Sequence, residues 1–184
     1  MTVPLSAVAP ELRGRVRWMP RLPLERAWAR RLVRAATART RPPSLPGVTV
    51  ELRPGLRVYR PRTPRSDLTL LWIHGGGLVI GGAVQDDRFC AETAAELGIT
   101  VVSAEYRLAP EHPYPAALDD GHAAWTWLRG QVPAERVVVG GQSAGGGLAA
   151  ALVQRLHDEG ERPRAQWLFC PMLDDRTAAR RAGS

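Results

Sequence analysis

The sequence predicts an α/β fold: a mostly parallel sheet with helices on both faces, preceded by an N-terminal helical segment. Three observations carry this reading. From Leu68 onward, strand-length apolar runs alternate with helix-length segments, in the order strand, helix, strand, helix, strand, helix, strand. The first of these strands, Leu68–Ile73, is apolar almost without interruption, as a strand covered on both faces must be. A breaker cluster, Arg41-Pro42-Pro43-Ser44-Leu45-Pro46-Gly47, separates this body from an Arg-rich start.

In chain order, residues 1–40 read as partly helical. Leu24, Trp28, Leu32 and Ala35 fall on one face, and Arg26, Arg30 and Arg34 on others. Such a segment suits a cap lying on a core, with a basic helix on a membrane surface as the rival reading. Val48–Leu52 and Leu56–Tyr59 flank Pro54-Gly55 and read as a strand pair. Arg88–Leu97 reads as a helix, with Asp86 and Asp87 at its positive end and Gly98 after its last turn. Thr100–Ala104 is the next strand. Ala116–Leu128 is a helix whose Leu118, Trp125 and Leu128 share a face. Arg136–Val139 is a short strand, Ala144–His157 a helix, and Gln166–Phe169 a strand stopped by Pro171.

Composition narrows the function. The length of 184 residues suits one ordinary domain. All 25 basic residues are Arg, and Lys and Asn are absent, which reads as codon bias. Residues 1–65 hold 15 Arg against three acids, a net of +12, whereas residues 66–184 carry a net of −5 with 10 Arg against 15 acids. The positive charge is therefore confined to the start, and no nucleic-acid module accompanies it, which argues against a nucleic-acid partner. Cys90 and Cys170 give neither a disulfide framework nor metal-ligand spacing and read as small buried hydrophobes. Arg13, Arg15, Arg17 and Arg21 interrupt any secretory leader. The uncharged windows Leu68–Gln85 and Val137–Gln154 each contain five glycines, so they read as strand, turn and helix start rather than membrane spans. The expectation is a cytoplasmic protein, without a membrane or nucleic-acid partner.

Two glycine-rich motifs carry chemistry. Gly141-Gln142-Ser143-Ala144-Gly145 fits G-x-S-x-G directly after Val137-Val138-Val139 and opens a small-residue helix. This is the strand–turn–helix setting of a nucleophile elbow, which lifts a serine Oγ above the sheet. A phosphate-binding glycine turn would call for a Walker-type lysine, and the chain has no Lys. His74-Gly75-Gly76-Gly77 follows the strand Leu68–Ile73. A glycine run of this kind lets backbone N–H groups close on a developing oxyanion.

Together with Tyr106-Arg107-Leu108-Ala109-Pro110-Glu111, the run from His112 to Asp120, and Pro171-Met172-Leu173-Asp174-Asp175-Arg176, these motifs resemble the hormone-sensitive-lipase-like α/β-hydrolases, the esterases with an HGGG motif. The resemblance spans residues 48–176. It implies that Ser143 is the nucleophile, and that the N–H groups of Gly76, Gly77 and Ala144 are the oxyanion donors, with His74 and Gly75 in the same motif. It implies a carboxylesterase that uses an acyl-serine on short- to medium-chain esters, with no metal or organic cofactor. It also implies a division into an N-terminal cap, 1–47, and a hydrolase core, 48–184. Two local departures stand out: Gln142 where the family usually has an acid, and Gly147 where it often has Asn.

A third departure concerns the triad. In this fold the acid and then the histidine follow the serine. After Ser143 only His157 occurs, nearly four helical turns away, about 20 Å at helical rise. His112 and His122 read as structural, and so do Asp174 and Asp175 by the resemblance. The expectation is an incomplete α/β-hydrolase fold that ends before its later strands, with no triad acid or histidine. It would be a fragment, a frameshifted product or a short protein that binds an acyl or carboxylate ligand without catalysis. The strand Gln166–Phe169 would offer an open edge for self-association.

Overall fold

A computed structural model describes residues 4–17, 22–39 and 46–174. The readings placed on Arg21, Arg41–Leu45, Asp175 and Arg176 lie outside these residues. The chain divides into two compact units, Met1–Leu32 and Val33–Ser184. The first holds a 3-10 turn, Leu5–Ala7, helix α1, Pro10–Arg17, and the start of helix α2, Ala27–Ala38. Two of its arginines serve local backbone. Arg13 donates to Val8 O at 2.8 Å and Ser6 O at 3.2 Å, and Arg30 donates to Leu24 O and Glu25 O, both at 2.9 Å. The expected apolar stripe is not a buried face: Leu24 precedes the helix, Trp28 and Leu32 are exposed, and the buried positions are Ala29 and Arg30.

The second unit is built on a six-stranded sheet in the order β1-β2-β4-β3-β5-β6. The strands are β1 Val48–Arg53, β2 Leu56–Pro61, β3 Thr69–Ile73, β4 Thr100–Ala104, β5 Val137–Gln142 and β6 Ala165–Phe169. β1 and β2 form the hairpin expected around Pro54-Gly55, where Gly55 takes φ +72°. β2 also runs antiparallel to β4, and the remaining pairs are parallel. β3 is central, with Leu71 in register with Val102 on one side and Val139 on the other. β5 is longer than expected: it runs on through Gly140 and Gly141 to Gln142, which carries the chain straight into the serine turn.

All five residues of β3 are buried because the sheet is covered on both faces. Leu70 and Trp72 pack with Tyr59, Cys90, Ala91, Ala94 and Val101 under helix α3, Asp87–Leu97. Leu71 and Ile73 pack on the other face with Trp125, Leu128, Leu152 and Leu156, from helices α4, Ala116–Arg129, and α5, Ala144–Asp158. Gly98 ends α3 in the left-handed region at φ +64°, and its N–H donates to Ala94 O at 3.0 Å. Cys90 is buried as expected. Cys170 departs from the expectation, because it sits exposed in the turn after β6. Four of the five β6 residues are exposed, and among the described residues no strand pairs with its outer edge.

Asp87 does more than complement the helix end. Its carboxylate accepts a two-pronged bond from Arg57, Nε to Oδ1 at 2.6 Å and Nη2 to Oδ2 at 2.7 Å, and a bond from the Tyr59 hydroxyl. The carboxylate is almost fully buried, so it depends on these partners. Burial, and then the Asp87 bond, push the Tyr59 hydroxyl far above its usual range, so it remains a donor. The cluster fastens α3 to β2. Asp87→Ala, which leaves a partly buried guanidinium and a buried hydroxyl unpaired, should cost about 3 kcal/mol of unfolding free energy. Urea denaturation of the two proteins checks this.

Candidate active site

The site forms at the carboxyl ends of β3 and β5, where open α/β sheets place their ligands. Ser143 joins β5 to α5 with φ 54° and ψ −118°. A non-glycine residue held there costs on the order of 1–3 kcal/mol, so its surroundings must impose it. They do so through its backbone: Ser143 N–H donates to Phe169 O at 2.9 Å, and Ser143 O accepts from Gly147 N–H at 3.0 Å and Met172 N–H at 2.9 Å. The segment after β6 is thus part of the elbow.

The flanking glycines are there for space. A Cβ on Gly145 would collide with the carbonyl oxygens of Ile73 and His74, and one on Gly141 with Gly145 O. Without those side chains, α5 starts directly against the end of β3. The Gly147 departure has a local counterpart, since a Cβ there would collide with Met172 O. Ala144 is the first residue of α5, so its N–H has no partner within the helix.

β3 delivers His74 and the glycine run to the same place. A Cβ on Gly75 would lie 3.1 Å from Gln142 O and 3.5 Å from Ser143 Cβ, so the run passes beside the serine. Gly76, Gly77 and Leu78 then take φ +123°, +64° and +64°. The turn closes when Val79 and Ile80 donate to Gly76 O at 3.2 and 3.1 Å, and Ala109 N–H donates to Leu78 O at 2.8 Å. Among the described residues, the amides of Gly76 and Gly77 donate to no other group.

His74 is fully buried behind this turn. Its Nδ1 lies 2.7 Å from Gly75 O, a bond in which Nδ1 carries the proton and donates. Nε2 faces Glu105 Oε1 at 3.7 Å. The Tyr106 ring stacks on the imidazole at 4.1 Å, and its hydroxyl donates to His74 O at 3.0 Å. Burial, with the charges of Glu105 and Asp86, raises the Tyr106 hydroxyl well above its usual range, which keeps it a donor. Glu105 in turn accepts the Ala83 N–H at 2.9 Å. His74 therefore holds backbone, as its position in the motif implies. Sequence reasoning missed the supporting roles of Tyr106 and Glu105; the only signal was their place at or beside the Tyr106–Glu111 block.

The other histidines lie elsewhere. His122 Nε2 meets Glu159 Oε2 at 2.8 Å and joins α4 to the end of α5. His157 is exposed beside Asp158, at the far end of α5 from Ser143. His112 is exposed in the loop before α4. Among the described residues, no side chain hydrogen-bonds to Ser143 Oγ, and no group of three or more His, Cys, Asp or Glu could hold a metal ion. No described helix is long and apolar enough to cross a membrane.

Comparison with known proteins agrees with this architecture. Residues 70–184 match the alpha/beta hydrolase fold family. The chain is similar to the carboxylic ester hydrolase LipN of Mycobacterium tuberculosis, 39% identical over 152 residues, covering 76% of this chain and 40% of LipN. Among solved structures it is similar to a bacterial heroin esterase, with a TM-score of 0.77 and 37% identity over 94% of this chain and 60% of that one. It is also similar to an esterase of the bacterial hormone-sensitive lipase family, with a TM-score of 0.72 and 31% identity over 91% of this chain and 59% of that one. The chain spans about two fifths of the length of the curated relatives it matches. With its motifs seated at the ends of β3 and β5 as the fold requires, the chain belongs to the alpha/beta hydrolase fold family, in its hormone-sensitive-lipase-like branch.

Proposed function

We propose that these residues form the nucleophile and oxyanion half of a serine carboxylesterase for short- to medium-chain acyl esters, working in the cytoplasm without metal or organic cofactor. One observation carries the reading: the strained Ser143 stands beside a glycine turn whose Gly76 and Gly77 amides are uncommitted. Ser143 Oγ would attack the ester carbonyl carbon as its proton passes to a base supplied from outside residues 1–184. The carbonyl electron pair moves onto oxygen, and the amides of Gly76, Gly77 and Ala144 hold the charge. Collapse expels the alcohol, which takes up the proton, and leaves an acyl-serine. Water, deprotonated by the same base, then releases the acid and restores the serine. Residues 1–47 act as the cap.

With the downstream segment restored, the chain should hydrolyse a short-chain nitrophenyl ester, and Ser143→Ala should lower turnover about 10⁴-fold or more. Wild-type rates in that variant would remove Ser143 from the mechanism. Binding of the ester without hydrolysis by the restored chain would make the protein a ligand binder.

Gly76→Val drives a side chain into Ile80 O, so the turn must open. In the restored enzyme kcat should fall about 100-fold with little change in KM, because the interaction grows in the transition state. Steady-state kinetics reads both.

Residues 1–184 alone should show little turnover, since among the described residues no base reaches Ser143. The exposed β6, with Trp167 and Phe169 open to solvent, should drive self-association on size-exclusion chromatography. A monodisperse monomer with ordinary esterase rates would contradict both statements.

A further inference from the structure

We infer that Arg34 is a positioning residue for the glycine turn, an inference that for its catalytic consequence rests on the oxyanion role proposed above. Arg34 lies in the part of α2 that belongs to the second unit, 45 residues before the carbonyl it grips. Its Nε and Nη2 both donate to Val79 O, at 2.9 and 2.8 Å. Nη2 also donates to Ala109 O at 2.8 Å, and Nη1 to Glu111 Oε2 at 3.0 Å. One guanidinium thus ties together the turn that leaves β3 and the loop that leaves β4.

The turn needs such a tie. Three successive residues, Gly76, Gly77 and Leu78, stand at positive φ, and Leu78 has a side chain that disfavours it. Three carbonyls of the turn have donors. Gly76 O takes the amides of Val79 and Ile80, Leu78 O takes Ala109 N–H, and Val79 O takes Arg34. The first three of these bonds are backbone to backbone and neutral. The Arg34 bonds come from a cation that is mostly buried, which makes them the stronger ones. Ala109 is shared: its N–H grips Leu78 while its carbonyl is gripped by Arg34. Loss of the guanidinium therefore loosens both sides of the turn together, and with them the direction of the Gly76 and Gly77 amides. The sequence placed Arg34 only on a solvated face of a basic helix, because nothing local shows that its partners lie 45 and more residues downstream.

Lysine cannot replace this fork. Its single ammonium has no fixed planar geometry and cannot span Val79 O, Ala109 O and Glu111 together.

The test has two arms. In the restored chain, amide hydrogen exchange is followed at Val79, Ile80 and Ala109, with the β3 amides of Leu70–Ile73 as a measure of global stability. Arg34→Gln should speed exchange at the first three amides about tenfold or more while β3 is unchanged, and Arg34→Lys should fall between Gln and wild type. Unchanged exchange at those amides, or acceleration spread equally over β3, would overturn the inference. In the restored enzyme, Arg34→Gln should lower kcat about 10- to 100-fold with KM nearly unchanged, and Arg34→Lys should recover part of it. A loosened turn with unaltered kcat would overturn the positioning role while Ser143 stands. A restored wild-type enzyme with no turnover would instead defeat the esterase reading, and the exchange arm alone would then decide whether Arg34 holds the turn.

Discussion

Everything at this site depends on one close approach: the amino end of α5 against the carboxyl end of β3. Gly145 sits where any Cβ would strike the carbonyls of Ile73 and His74. That contact brings Ser143 beside the glycine run. It also leaves the serine little choice of backbone, since β5 must reverse into α5 within one residue. The strain at Ser143 is met by three backbone hydrogen bonds, two of them to the segment 169–172. The elbow is a joint product of β3, β5, α5 and the end of β6, and it cannot be assigned to the pentapeptide alone.

Polar groups placed behind the apolar sheet finish the work. Tyr106, His74 and Glu105 form a column that fixes the start of the glycine run, and each member has a role as donor or acceptor to backbone. Asp87, Arg57 and Tyr59 fasten α3 to β2 on the opposite face. Asp86 lies next to them and accepts Trp72 Nε1–H at 2.8 Å; burial raises its carboxyl above the usual carboxylate range, against the pull of that bond. The sheet is thereby held by charged groups at the edge of its apolar layers, and β3 is free to be apolar from Leu70 to Ile73.

Much of this was legible in the sequence. The alternation from Leu68 onward gave the strand and helix order, because buried parallel strands must be apolar on both sides and their helices must return the chain. G-x-S-x-G after three valines located the elbow. Contacts between distant segments were not legible. Arg57 and Asp87 are 30 residues apart, and Arg34 and Val79 are 45 apart, so no local pattern pairs them. The antiparallel seating of β2 beside β4 was likewise hidden, as a hairpin does not announce its third partner. The stripe read on residues 24–35 failed because Leu24 stands outside the helix and Trp28 and Leu32, within it, are exposed. Cys170 failed for a related reason: it follows β6, whose residues are mostly exposed.

The reaction proposed for this site acylates Ser143. The direct measurement is trapping: the restored enzyme is treated with a phosphonate ester and its peptides are read by mass spectrometry. One adduct is expected, on the peptide that contains Ser143 and at that residue, formed as activity is lost. An enzyme that loses activity with its adduct on another residue, or that hydrolyses esters while Ser143 remains unmodified under full inhibition, would contradict it.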